Sequence, residues 1–285
     1  MVRDPAAQGR RPDDIVSRPR VVPTLTHVAS HGFSIVCEVE PATRPDLTHV
    51  RHQIGVMSRV ASSFLIPDNH IGRATVSSIA VAHEVGLMGG RSIACLNARD
   101  RNLLGFRRDL LTAAAYGVDE FLFVYGDRPE TGTRSDDLTV RSMIEEARGF
   151  AADSELAPKP LRLGVTSRLT PLPSWKRQAD FLFVQVSFSF EALLSWREEI
   201  TFAGPIFAGV MAPASATMAR KLSADVRELA VPDALIEALD ADRNAGVDFA
   251  CQMVSDIRES GAFDGVHLIP VSRYREIAAR LERAW

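Results

Sequence analysis

The 285-residue chain predicts a single (β/α)8 TIM barrel, and three observations carry that reading. Eight short apolar runs recur along the chain, most of them followed by a turn and an amphipathic helical stretch. Several of the runs show no polar alternation, so they must be covered on both faces, as parallel strands are. A barrel of about 250 residues nearly uses up the length, whereas an open doubly wound sheet seldom needs eight parallel strands. No Gly-x-Gly-x-x-Gly follows the first run, which argues further against a dinucleotide-binding sheet.

In chain order, residues 1–32 are rich in Pro, Arg and Asp and show little periodicity, so an irregular N-terminal extension is expected there, with the barrel domain over 33–285. His27 and His31 stand at helical spacing within it but have no third ligand nearby, so no metal site is expected. Strands are expected at 34–40, 62–66, 92–97, 121–125, 161–166, 180–186, 205–211 and 265–270. Helices are expected at 45–60, 73–85, 103–115, 137–151, 190–199 and 216–222, with Gly86, Gly117 and Gly204 as stops. The longer interval after the seventh strand leaves room for two more, at 232–238 and 242–260.

Bulk properties exclude several function classes. A net charge of -3 and a pI near 6.2 leave no basic footprint for nucleic acid or a membrane surface. Cys37, Cys95 and Cys251 are far apart and lack ligand spacing, which predicts reduced thiols and a cytoplasmic protein. No apolar run reaches the roughly 18 residues of a membrane span, and no signal-peptide core opens the chain. A small-molecule substrate is therefore expected, with assembly into a homo-oligomer left open.

Barrel chemistry sits at the carboxyl ends of the strands, so the polar residues there are the site candidates. In the first strand, alternation places Glu38 and Glu40 on one face, and a carboxylate inside a barrel strand is costly unless paired or protonated. The fourth strand stops at Gly126-Asp127, and Gln185 interrupts the apolar sixth strand with an amide that needs a partner. Asp68, Asp100 and Asn102 read equally well as turn or capping residues. His267, inside the eighth strand, reads better as a hydrogen-bonded core imidazole than as a catalytic group, and Cys95 faces the site without a base beside it in sequence. Trp175 and Trp196 read as packing residues.

Five blocks then carry a resemblance: Glu38-Val39-Glu40-Pro41, Cys95 through Asn102, Tyr125-Gly126-Asp127-Arg128-Pro129, Phe183-Val184-Gln185, and Gly265-Val266-His267 through Arg273. In this order and spacing the chain resembles the methylenetetrahydrofolate reductase family, in its short prokaryotic type without a regulatory domain. The resemblance implies reduction of 5,10-methylenetetrahydrofolate to 5-methyltetrahydrofolate through a 5-iminium cation. It implies Glu38 as the acid that opens the ring, Asp127 as a group that stabilises the cationic pterin, Gln185 as a pterin ligand and Arg273 as a ligand for the folate tail. NADH or NADPH is implied as the reductant.

The family's flavin site is where the chain departs from the pattern, with Cys95, Asn97 and Tyr125 in place of the expected histidine, threonine and arginine. Two alternatives follow. Either FAD is held differently, by Asn97, Asp100, Arg101 and Tyr125, or a reduced nicotinamide delivers hydride directly to the iminium carbon. A reading of another class is a non-catalytic pterin-binding barrel, or a subunit of a larger one-carbon-transfer complex. An aldolase or phosphosugar barrel is disfavoured, since no strand-end lysine and no glycine-rich phosphate loop after the seventh strand are present.

Overall fold

The computed structural model describes residues 32–226 and 229–284, so His27, His31 and nearly all of the expected extension lie outside the described residues. Eight parallel strands close into a barrel in sequence order: β1 (Ser34–Glu38), β2 (Ser63–Ile66), β3 (Ser92–Asn97), β4 (Glu120–Val124), β5 (Arg162–Ser167), β6 (Phe181–Val186), β7 (Ile206–Met211) and β8 (Gly265–Ile269). Closure comes from β8 pairing with β1, with His267 opposite Val36. All eight expected strands are present, because each apolar run is buried on both faces.

Around the barrel lie α1 (Thr48–Met57), α2 (Ser78–Leu87), α3 (Leu103–Ala115), α4 (Val140–Ala151), α5 (Phe190–Glu199), α6 (Ala216–Asp225), α7 (Asp233–Ala241), α8 (Ala245–Ser260) and α9 (Tyr274–Ala284). Short polar side chains start several of them: Asn102 caps α3, Thr139 and Ser142 form a capping box on α4, and Ser189 and Ser215 cap α5 and α6. The first strand ends at Glu38 rather than residue 40, since the Glu40 amide turns away to donate to the Gln53 side chain at 3.0 Å. Between β5 and β6 only a single 3-10 turn, Ser174–Gln178, replaces a helix, and Trp196 closes that flank by donating its indole N–H to the Thr170 carbonyl at 2.9 Å. Among the described residues no helix is long and apolar enough to cross a membrane.

The lumen is filled by side chains of alternate residues, chiefly Val36, Leu65, Ile93, Cys95, Leu122, Phe181, Phe183 and Phe207. Three phenylalanines fit because glycines face them or support the neighbouring strand. A Cβ on Gly164 would lie 2.0 Å from the Phe181 ring, and one on Gly209 would strike the β6 backbone at 2.6 Å, beside Gln185.

The floor is polar. Glu120 is buried and its Oε1 accepts from Arg91 Nη2 at 3.2 Å. Burial nevertheless pushes the Glu120 carboxyl up to about 7 from an ordinary 4.5, outweighing the pull of Arg91, and burial likewise lowers the Arg91 guanidinium. Between pH 4.5 and about 7 the folded protein holds a proton that the unfolded chain has released, so stability is lost as pH rises through that window. Glu120→Gln should flatten this slope in urea unfolding measured at pH 5, 6 and 7. A variant that loses stability in parallel with the parent would rule Glu120 out as its source.

Candidate active site

The carboxyl-end rim between β6 and β1 carries the group with the strongest chemical character. Glu38 is the last residue of β1, and His267, in the middle of β8, faces the lumen because it registers with Val36 on one side and Gly209 on the other. His267 Nε2 lies 3.1 Å from Glu38 Oε2, with side-chain exposures of 11% and 16%. The contact is close but not aligned as a hydrogen bond, so Nε2 is left buried without a hydrogen-bond partner. Phe183 fixes the imidazole plane by stacking on it at 5.1 Å and 17°. The core imidazole expected at His267 is thus buried, but it belongs to the site. Sequence position alone gave no sign of the pairing, because Glu38 and His267 stand at opposite ends of the chain.

Gln185, near the end of β6, is half-buried, and its amide makes no hydrogen bond among the described residues. A local shift in the β6–β7 register lies at this position. Because Gly209 stands between Gln185 and His267 around the barrel, no side chain fills the wall between them. A carboxyl, an imidazole and an unpartnered amide therefore line one side of the mouth, which suits a flat heterocycle with both donors and acceptors.

The opposite side is closed by a polar network. Asp68 Oδ2 accepts from the Asn97 backbone N–H at 3.0 Å, from Asn97 Nδ2 at 2.9 Å and from Arg101 Nη2 at 2.6 Å. Asn97 Nδ2 also donates to Asp100 Oδ2 at 2.8 Å, and Asn97 Oδ1 accepts from the Asp100 N–H at 2.9 Å. Arg101 Nη1 donates to the Asn97 carbonyl at 2.6 Å, while its Nε lies 3.2 Å from Asp109. Tyr125 is exposed under the guanidinium of Arg99, 4.6 Å from its ring centroid. Asn97, Asp100 and Arg101, expected at a flavin, spend these polar groups on one another, and Asn97 is only 1% exposed. This donor set does not fit a flavin.

Asp127 is exposed on the loop after β4, where its Oδ2 accepts from the Ile71 N–H at 3.0 Å. Glu130 donates its N–H to the Gly72 carbonyl at 2.9 Å and pairs with Arg73 at 2.6 Å, so the loops after β2 and β4 are clasped together. Ile71 holds a φ of +57°, costly for a β-branched residue, and the bond to Asp127 helps to retain it. Glu40 does not share the lumen with Glu38. Its carboxylate accepts from the Ser272 hydroxyl at 2.6 Å and lies 3.3 Å from His49. Arg273 is buried, donating to Glu276 at 2.9 Å and to the Arg243 carbonyl, so it ties α9 to the segment before α8, while its Nε has no hydrogen-bond partner.

Cys95 faces the lumen as its register predicts, but burial and then the charges of Glu38 and Asp68 raise its thiol well above the ordinary range. It is therefore a poor nucleophile. Among the described residues no group of three or more His, Cys, Asp and Glu could hold a metal ion.

Comparison with known proteins follows the same outline. The family model described as methylenetetrahydrofolate reductase matches residues 175–284, a span that contains Gln185 and His267 but not Glu38 or Asp127. No curated protein matches the chain in sequence. Among solved structures, a protein from Clostridium thermocellum that binds two copies of 5-methyl-5,6,7,8-tetrahydrofolic acid aligns with a TM-score of 0.61 at 12% identity, covering 90% of this chain and 98% of that one. The long-chain alkane monooxygenase LadA aligns with a TM-score of 0.52 at 8% identity, covering 89% and 92%. EDTA monooxygenase from Chelativorans sp. BNC1 aligns at 0.50 and 8%, covering 89% and 94%. At such identities these likenesses speak for the barrel alone.

Proposed function

We propose that the chain, whose residues 175–284 match the methylenetetrahydrofolate reductase family model, reduces 5,10-methylenetetrahydrofolate to 5-methyltetrahydrofolate with a reduced nicotinamide as direct hydride donor. The observation that carries the reading is the rim itself: a half-buried carboxyl at the end of β1 facing the same mouth as the unpartnered Gln185 amide. The folate bound by the similarly folded Clostridium thermocellum protein supports the substrate class.

In this reading Glu38 gives its proton to N10 of the folate. The bond from N10 to the bridging carbon breaks, and the N5 lone pair forms the 5-iminium cation. Hydride from the nicotinamide then adds to the exocyclic carbon, so one proton and one hydride are consumed for each methyl group formed. Gln185 orients the pterin by its amide, and Asp127, which clasps the Ile71 loop through one oxygen, offers the other to the guanidine-like edge of the ring. The closed network around Asn97 supports hydride transfer without a flavin.

The test is oxidation of NADH and of NADPH by the purified protein with methylenetetrahydrofolate, with and without added FAD. Folate-dependent oxidation by a colourless protein, unchanged by FAD, is expected. Activity that appears only with FAD would overturn the direct transfer, and no activity with either reductant would favour a pterin-binding barrel without catalysis.

A further inference from the structure

The amino-terminal floor of the barrel gathers hydrogen-bond donors that the proposed reduction does not use. Ser34, Ser63, Glu120 and Arg162 open β1, β2, β4 and β5, and Arg91 immediately precedes β3. Each stands two residues before a lumen position, namely Val36, Leu65, Leu122, Gly164 and Ile93 in turn, so alternation points all five side chains into the barrel. Ser34 and Ser63 are each 1% exposed, and the Arg91 side chain is 9% exposed. Among the described residues Ser34 Oγ, Ser63 Oγ, Arg91 Nη1 and Arg162 Nε are buried without a hydrogen-bond partner. Native interiors satisfy nearly all such atoms, so four in one layer call for a ligand.

We propose that this floor binds a small monovalent anion, chloride, between the guanidinium groups of Arg91 and Arg162 and the hydroxyls of Ser34 and Ser63. The charges agree with the donors. Arg91 Nη2 donates to Glu120 Oε1 at 3.2 Å, and Arg162 lies opposite Glu120 in the β4–β5 register, so two cations flank one carboxyl. Asp119, the neighbouring acid, alternates to the other face and lies 3.9 Å from Lys159. Below about pH 7 Glu120 holds its proton, and the two buried guanidiniums then have no carboxylate in the layer to match them. Chloride accepts from every one of the four groups, whereas a water would bring two hydrogens of its own to nitrogens that can only donate. Phe181 and Phe207 fill the lumen between this floor and the mouth, so the anion is separate from the folate. Arg91 and Arg162 are partly exposed at the floor, which gives the anion its way in.

Thermal unfolding at pH 6, with chloride replacing gluconate at constant ionic strength up to 200 mM, should raise the wild-type midpoint by about 3 °C or more. In the Ser34→Ala/Ser63→Ala double variant the rise should shrink to about 1 °C or less. Its midpoint in gluconate alone should stay at or above that of the wild type, because two buried hydroxyls without partners are gone. Wild-type crystals grown in bromide give a second readout that needs no variant, with an anomalous peak expected in contact with Arg91 Nη1 and both hydroxyls. Equal wild-type midpoints in chloride and gluconate, or the same chloride rise in the double variant, would overturn the site. Bromide at surface positions alone, with water at the floor, would overturn it as well. Neither readout involves folate, so the site and the reduction can fail independently.

Discussion

Glu38→Gln is expected to reduce kcat for methylenetetrahydrofolate reduction by about 10²–10⁴-fold, the range lost when a positioned general acid is removed. The glutamine keeps the size and the hydrogen-bonding capacity of the side chain but has no proton to give N10. Folate binding should stay within a few-fold of wild type, because the Gln185 amide and the open wall at Gly209 are untouched. Stability should not fall. A half-buried carboxylate whose one partner is a poorly aligned imidazole contributes little to folding, and a neutral amide there costs no charge burial. The expected pattern is therefore lost turnover with retained binding and an unchanged or raised unfolding midpoint, which marks a group kept for chemistry at the expense of stability. Turnover close to wild type would remove Glu38 from the acid role. Lost binding together with lost stability would make it a structural residue.

What the sequence discloses here follows from how local each signal is. The strands are legible because burial on both faces leaves unbroken apolar runs, and Glu38 is legible because an acid inside such a run has to be explained. His267 carries no such local signal. Its meaning depends on closure of the barrel, which brings β8 against β1, and nothing near residue 267 announces that. Arg273 is a mixed case, where a motif position suggests a ligand and the fold engages two of the guanidinium nitrogens with Glu276 and the Arg243 carbonyl but leaves Nε without a partner. Glu40 belongs with these: period-two alternation places it beside Glu38 only as long as the strand continues, and the strand ends at Glu38.

Asp68→Ala should cost about 3–5 kcal/mol of folding stability, the usual penalty for stripping one partner from a buried ion pair. Asp68 Oδ2 receives the Asn97 backbone N–H, the Asn97 amide and the Arg101 guanidinium, and the ion-pair side chains are only 8% and 11% exposed. Alanine leaves all three donors short of an acceptor in a place water barely reaches. Asp109, 3.2 Å from Arg101 Nε, offsets part of the unpaired charge, so the loss should fall toward the lower end of that range. Asp68→Asn should cost less than alanine, because an amide oxygen can still accept from Asn97. Urea unfolding at pH 7 of the two variants and the parent measures the difference, and an alanine variant within about 1 kcal/mol of wild type would show that the network contributes little. The same substitution reaches the site by a definite route. Asp68 fastens the loop after β2 to the end of β3, and that loop carries Ile71, whose N–H Asp127 holds across the rim. Where the variant stays folded, its KM for the folate should therefore rise more than its kcat falls, because the loop that positions Asp127 loosens while Glu38 and His267, on β1 and β8, keep their places.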